Sequence, residues 1–267
     1  MTTNDIAAQA FWAELRRTTQ ARIGLGRTGD ALPTADVLEL RAAHAAARDA
    51  VHNPLDVDAL AAQVKALGLG DPVRVRSSAG NRSEYLRRPD LGRVPGKSEL
   101  PAGQGISALH HTGADIGVVL ADGLSPRALT DHGAPMLAAL FEALGDRFTF
   151  APPVIATQSR VALGDHIGSA QGVTTLLVLI GERPGLSVAD SLGIYLTHLP
   201  SPGRADSERN CISNIHPPEG LGYTRAAQVT AGLIEGARRL GRSGVDLKDT
   251  SGSLSPADTL ILEAESA

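Results

Sequence analysis

The chain has 267 residues, 42% of them hydrophobic, with a formal net charge of −4 and one cysteine. A chain of this length buries a core without disulfide or metal staples, and one cysteine excludes a disulfide framework or a cysteine-rich zinc site. The slight acidity argues against a general nucleic-acid binder, eight Phe, Trp and Tyr residues are too few for a base-stacking platform, and no run approaches the ~18 apolar residues of a membrane span.

The N-terminus lacks the basic start and apolar run of a secretory signal, so the chain reads as a soluble intracellular protein. Residues 6 to 23 read as a helix, with Phe11, Leu15 and Thr19 four apart on one stripe that Trp12 widens, and with Gly24 and Gly26 as its stop. A second helix is expected from about Thr34, a candidate N-cap, to His52 ahead of Pro54. A third covers about Asp56 to Leu67 and ends at Gly68. An arginine-rich stretch follows, with Arg74, Arg76, Arg82, Arg87, Arg88, Arg93 and Lys97 set against Glu84 and Asp90. Val73–Arg76 alternates as a short strand does, and the prolines and glycines from 89 to 105 mark the remainder as loop.

From about Ile106 strands and helices alternate. Ile116–Leu120 is a short β-branched apolar run; Ser125 caps a helix with Pro126 at its first position, running to about Leu144 and closed by Gly145. Phe148–Thr157 reads as a strand that Pro152 and Pro153 weaken. Gly164 to about Gly172 reads as a short helix. Thr174–Ile180 is apolar on both faces, as buried parallel strands are, and Leu192–Leu199 is a further strand. Residues 200–221 read as loop. Gly222–Leu240 is an amphipathic helix with Val229, Leu233, Ala237 and Leu240 on its buried stripe. The pattern predicts an α/β fold: a Rossmann-like, open, mostly parallel sheet with helices on both faces, preceded by an N-terminal helical region. The expected organisation is a helical and arginine-rich region over 1–105 that makes subunit contacts, a sheet domain over 106–248 and a tail over 249–267.

Gly24-Leu-Gly-Arg-Thr-Gly29 matches the G-x-G-x-x-G of dinucleotide sites, but it follows a helix where that fingerprint must follow a strand. A helix C-cap and turn explain its glycines better. Asp122-Gly-Leu-Ser-Pro126, Gly181-Glu-Arg-Pro-Gly185 and Asn210–His216 each lie just after a predicted strand or one loop removed. Ligands of open α/β sheets bind outside the carboxyl ends of the strands, so the three segments are candidates to face one crevice, with ordinary turn chemistry as the alternative. Cys211 with His216 invites a nucleophile reading, against which stands a small packing cysteine. The eight histidines show no metal-ligand spacing, His110-His111 with Asp115 coming nearest. The arginine-rich stretch suits intersubunit salt bridges.

These residues resemble the small subunit of adenosylcobalamin-dependent ethanolamine ammonia-lyase. The resemblance runs from about Phe11 to Lys248 and rests on six segments in order: Leu15–Ile23 with Gly26–Gly29, Tyr85–Arg93, Asp122–Ser125, Ser159–Val161, Leu179–Leu186 and Cys211–His216. It implies conversion of ethanolamine to acetaldehyde and ammonia by radical chemistry: cobalt–carbon homolysis, hydrogen abstraction, amino migration and loss of ammonia. It implies that a large subunit, a TIM-type barrel, holds the substrate, while the small subunit covers part of the cobalamin in an assembly of six large and six small subunits. The family's cobalamin contacts fall on Val161, Glu182 and Cys211, with Arg160 a further candidate for the nucleotide-loop phosphate. A corrin is a mostly apolar ring fringed with amides, which suits an apolar wall plus a few placed acceptors. No catalytic residue is expected on this chain, and no metal ligand. Asp165-His-Ile-Gly168 lacks the D-x-H-x-x-G spacing by which a histidine replaces the cofactor's own base. The matching helix begins almost at once, without the long extension that addresses some members to a bacterial microcompartment, so a cytoplasmic location is expected, with the microcompartment left open by the resemblance. A self-sufficient nucleotide-using enzyme and a non-catalytic scaffold are the alternatives from other classes.

Overall fold

Two uninterrupted apolar runs form the middle of the sheet. They are β2 (Ile116–Ala121) and β4 (Thr175–Gly181), and every position of both is buried. The computed structural model describes residues 3–96 and 104–249. Outside β2 and β4 lie β1 (Val73–Arg76), β3 (Val154–Thr157), β5 (Leu192–His198) and β6 (Asn210–Ile215), in the order β1-β3-β2-β4-β5-β6. The four strands β1, β3, β2 and β4 pair in parallel. β5 runs antiparallel to both β4 and β6. The sheet is therefore mostly parallel with one reversed strand, and β6 again points the way β4 does.

Among the described residues seven α-helices accompany it: α1 (Thr3–Arg16), α2 (Thr34–His52), α3 (Val57–Ala66), α4 (Arg82–Arg87), α5 (Pro126–Leu144), α6 (Leu163–Gln171) and α7 (Tyr223–Leu240). The larger core lies where α5, α7 and α3 meet one face of the sheet, with Leu129, Leu137, Leu177, Leu179, Ile194 and Leu233 buried together. The opposite core is smaller and centres on Ile167 of α6 against Val119, Leu176, Val178 and Ile180. There α6 packs over β2 and β4. On the same face β5 and β6 leave Tyr195 half-buried and Cys211 exposed. Helical cover of both faces thus holds fully for one face and only for the middle of the other. Among the described residues no helix is long and apolar enough to cross a membrane.

Several expectations are corrected. The first helix ends at Arg16 rather than Ile23. Arg16 donates to Ile23 O at 3.0 Å and to Gly24 O, folding the chain back, and a Cβ on Gly24 (φ +59°) would meet the Trp12 ring at 2.2 Å. The predicted stripe is not core, since Phe11 is 58% and Trp12 37% exposed. Thr34 is the first residue of α2, with Pro33 before it and no side-chain cap. The arginine-rich stretch is not all loop: Asn81 caps α4 by accepting from Glu84 N at 3.0 Å, the side-chain cap that favours a helix start. β3 begins only after its two prolines. Leu240 falls off the buried stripe of α7 and is 44% exposed.

Residues 200–221 are not all loop either, because 210–215 form the edge strand β6. Its pairing steps from Leu192↔Ile215 to Ile194↔Ile212, which inserts one extra residue, and Asn214 takes the left-handed conformation at φ +64°. This bulge breaks the alternation by which a strand is read from sequence. Lys97, with the rest of 97–103, and the tail from residue 250 lie outside the described residues.

Candidate functional site

The carboxyl ends of β2 and β4 touch backbone to backbone. A Cβ on Gly123 (φ +58°) would lie 2.2 Å from Gly181 O, and one on Gly181 would lie 2.0 Å from Ser125 O. Only glycine fits either position, which explains the two motifs jointly. Ser125 accepts from Ala128 N at 3.3 Å as the α5 cap and donates to Ala189 O at 2.7 Å, tying down the loop after β4. Asp122 is buried; its carboxylate accepts from Gln158 N at 2.8 Å and Ser159 N at 2.9 Å. Burial pushes this carboxyl up from the ordinary range, while the Ser159 amide and the Arg82 guanidinium 3.7 Å away oppose the rise.

Arg82 fastens the N-terminal region to these ends. It donates to Val51 O at 2.7 Å, Gly123 O at 2.8 Å and Leu124 O at 3.0 Å. Its guanidinium lies 4.8 Å from the centre of the Tyr85 ring, and that of Arg160 lies 4.5 Å from it. The Tyr85 hydroxyl donates to Ser159 O at 3.0 Å. Burial pushes the Tyr85 phenol up, so it stays a neutral donor. One arginine of the basic stretch is thus an internal clamp rather than a solvated charge.

Beside this clamp opens a cavity of about 290 Å³, with Leu124, Val161 and Ile180 as apolar wall and Arg160, Glu182 and Tyr195 among its polar lining. Val161 comes from the turn into α6, Glu182 from the end of β4 and Tyr195 from β5. The Glu182 carboxylate accepts from the Ser191 hydroxyl and from Asn214 N at 3.1 Å. Arg160 and Val161 also border a second cavity of about 200 Å³ with Arg93 and Asp206, and among the described residues the buried Arg160 Nε has no hydrogen-bond partner. An apolar wall edged by a carboxylate, a phenol and an under-used guanidinium suits a large, mostly apolar ligand with amide and phosphate groups at its rim.

Val161 and Glu182 therefore meet in one cavity. Cys211 does not line it; it sits one strand further on, paired in register with Tyr195. Although the residue is exposed at the sheet surface, desolvation by its neighbours pushes its thiol up; Tyr195 opposes this and the Glu182 charge adds to it. His216 gives its Nε2 to Asn214 Oδ1 at 2.8 Å, so the thiolate–imidazole pair of a nucleophilic cysteine does not form. Of the three segments expected to face one crevice, Asp122–Pro126 and Gly181–Gly185 do so through Gly123, Leu124, Gly181 and Glu182, while Asn210–His216 contributes the Asn214 amide beneath Glu182.

The remaining motifs are structural. Gly24–Gly29 forms a turn held by the Thr28–Ala31 bridge. Among the described residues no group of three or more His, Cys, Asp and Glu could hold a metal. Asp165 makes a two-pronged ion pair with Arg209, 2.7 Å on each prong, and both side chains are 1% exposed. A hollow of about 490 Å³ between α2 and α5 holds none of the expected residues. Tyr195, Tyr85 and Ser191 were not singled out as site residues in the sequence; Tyr195 is the one tyrosine of β5 and its one incompletely buried position.

The family model described as ethanolamine ammonia-lyase light chain matches residues 9–248. An ethanolamine ammonia-lyase small subunit of Rhodococcus erythropolis is 64% identical over 251 residues, 94% of this chain and 95% of the relative. Those of Ralstonia nicotianae and Azotobacter vinelandii are each 46% identical, over 95% and 91% of this chain and 91% and 90% of the relatives.

Proposed function

Because the chain belongs to the ethanolamine ammonia-lyase light-chain family, and is thus the small subunit of a lyase with a larger partner, we propose that it holds and shields adenosylcobalamin at the interface with the large subunit. The reaction is the conversion of ethanolamine to acetaldehyde and ammonia. The bound cofactor supplies the radical that makes carbon–nitrogen cleavage possible. The substrate site belongs to the large subunit, and the assembly is six large and six small subunits in the cytoplasm. Residues 1–105 are assigned to subunit contacts, apart from β1, which joins the sheet, and Tyr85, which lines the cavity, and 106–248 to covering the cofactor.

The observation that carries this reading is the meeting of Val161 and Glu182 in one cavity, with Cys211 on the next strand of the same face. The residues present fit a corrin. Val161, Leu124 and Ile180 offer wall, and Glu182 accepts hydrogen bonds from amide N–H groups. Arg160, whose buried Nε has no partner among the described residues, is placed to meet the phosphate of the nucleotide loop. The exposed Cys211 keeps its β6 position small enough for close approach. None of these side chains moves a proton in the reaction; they position the cofactor and keep water from one side of it.

Titration of the two-subunit complex with adenosylcobalamin tests this. Replacing Glu182→Ala removes a charged acceptor and is expected to weaken binding about tenfold, with the thermal unfolding of the chain unchanged. Wild-type affinity in that variant would remove Glu182, and with it this cavity, from the cofactor site.

A further inference from the structure

The two oxygens of Glu182 are treated unequally. Oε2 accepts both hydrogen bonds, from the Ser191 hydroxyl and from Asn214 N–H. Ser191 and Glu182 close the mouth of the β4–β5 hairpin, where Glu182 N also donates to Ser191 O at 2.9 Å. The Asn214 amide comes from the β6 bulge, at the left-handed residue. Among the described residues no donor reaches Oε1. It lies over Gly193 of β5: a Cβ built there would stand 2.9 Å from Oε1 and 3.3 Å from Glu182 Cγ. The three atoms nearest to that Cβ all belong to Glu182. Glycine weakens a strand interior, and the backbone of Gly193 is not in the left-handed region. What the absent side chain leaves room for is the Glu182 carboxylate.

The geometry points to Gly193 and Ser191, with the Asn214 bulge, as positioning residues that hold Glu182 with Oε1 free as the acceptor for the ligand's amide N–H. This rests on the cobalamin reading of the cavity. Two protein donors on Oε2 fix the carboxylate plane, and the gap at Gly193 lets it lie against the sheet rather than stand off into the cavity.

The test is equilibrium titration of the complex of this chain and its large subunit with cyanocobalamin, which binds without turnover. Gly193→Ala is expected to weaken binding about tenfold, as loss of one hydrogen bond to a charged group does, while leaving the unfolding temperature of the chain unchanged. Ser191→Ala is expected to weaken it in the same direction and Ser191→Thr, which keeps the hydroxyl, to restore it. In the double variant with Glu182→Ala, Gly193→Ala is expected to add no further loss, because both changes act on one carboxylate. Wild-type affinity in Gly193→Ala and Ser191→Ala beside a weakened Glu182→Ala would overturn the inference and leave the cavity reading intact. Full additivity would overturn it too. Wild-type affinity in Glu182→Ala itself would instead defeat the reading on which the inference rests.

Discussion

Cys211 shows how little a residue type says until its neighbours are known. As the only cysteine, five residues ahead of a histidine, it carries the outline of a nucleophile. The strand turns that outline around: His216 bonds to Asn214, and Cys211 faces the Tyr195 side chain near the Glu182 charge. Its thiol is held above the ordinary value of 9.0, chiefly by burial, and the reactive thiolate is correspondingly scarce at neutral pH. Alkylation by iodoacetamide, followed by mass spectrometry in the absence of cofactor, is expected to be slower at pH 7.5 than for a free peptide cysteine. Its rate should climb through a midpoint above pH 9.0. A midpoint well below that value would contradict the environment described. Val161 was legible only through resemblance, because one valine carries no pattern of its own, whereas the Glu182 loop was already a candidate by its place after an apolar strand. Tyr195 fell within a predicted strand, but its place at the site was not legible, since that depends on a neighbouring strand hidden in polar text.

Elements whose signal was local and strong were legible: β4, uniformly apolar, and α5, with Ser125 and Pro126 at its start and Gly145 at its end. The failures have physical causes. The apolar stripe of α1 is real, but among the described residues Trp12 lies against the Gly24 turn and Phe11 stays exposed, so periodicity predicted a burial that does not occur there. β6 was hidden by its bulge, and α4 by the glycines and prolines around it. A second element-scale feature is the lock between α6 and the start of β6. Asp165 on α6 holds Arg209 with both oxygens, and Arg209 also donates to Thr197 of β5 at 2.8 Å. Removing one partner of so buried a pair strands the other charge. Asp165→Ala is therefore expected to lower stability by about 3–5 kcal/mol, read by urea unfolding of the chain. A loss under about 1 kcal/mol, the range of a surface pair, would contradict the burial of this lock.

At the scale of the molecule, one reversed strand decides where the site lies. A fully parallel sheet would need a crossover helix after β4, and such helices cover the face they cross. β5 instead returns by a hairpin, so Glu182 and Ser191 flank one loop and the face of β5 and β6 beyond α6 stays open. The half-covered face, the cavity beside it and the exposed aromatic side chains of α1 together describe a chain shaped for completion by another subunit. Sequence alternation announced the α/β class and most of the strand positions. It could not announce the reversal, because a strand apolar on both faces reads alike whichever way its neighbour runs.

The measurement that bears most directly on the central claim is acetaldehyde release from ethanolamine and adenosylcobalamin, with this chain, its large subunit, and the two combined. Release only from the combination is the expected result. Equal turnover by the large subunit alone would contradict the claim that this chain completes the cofactor site.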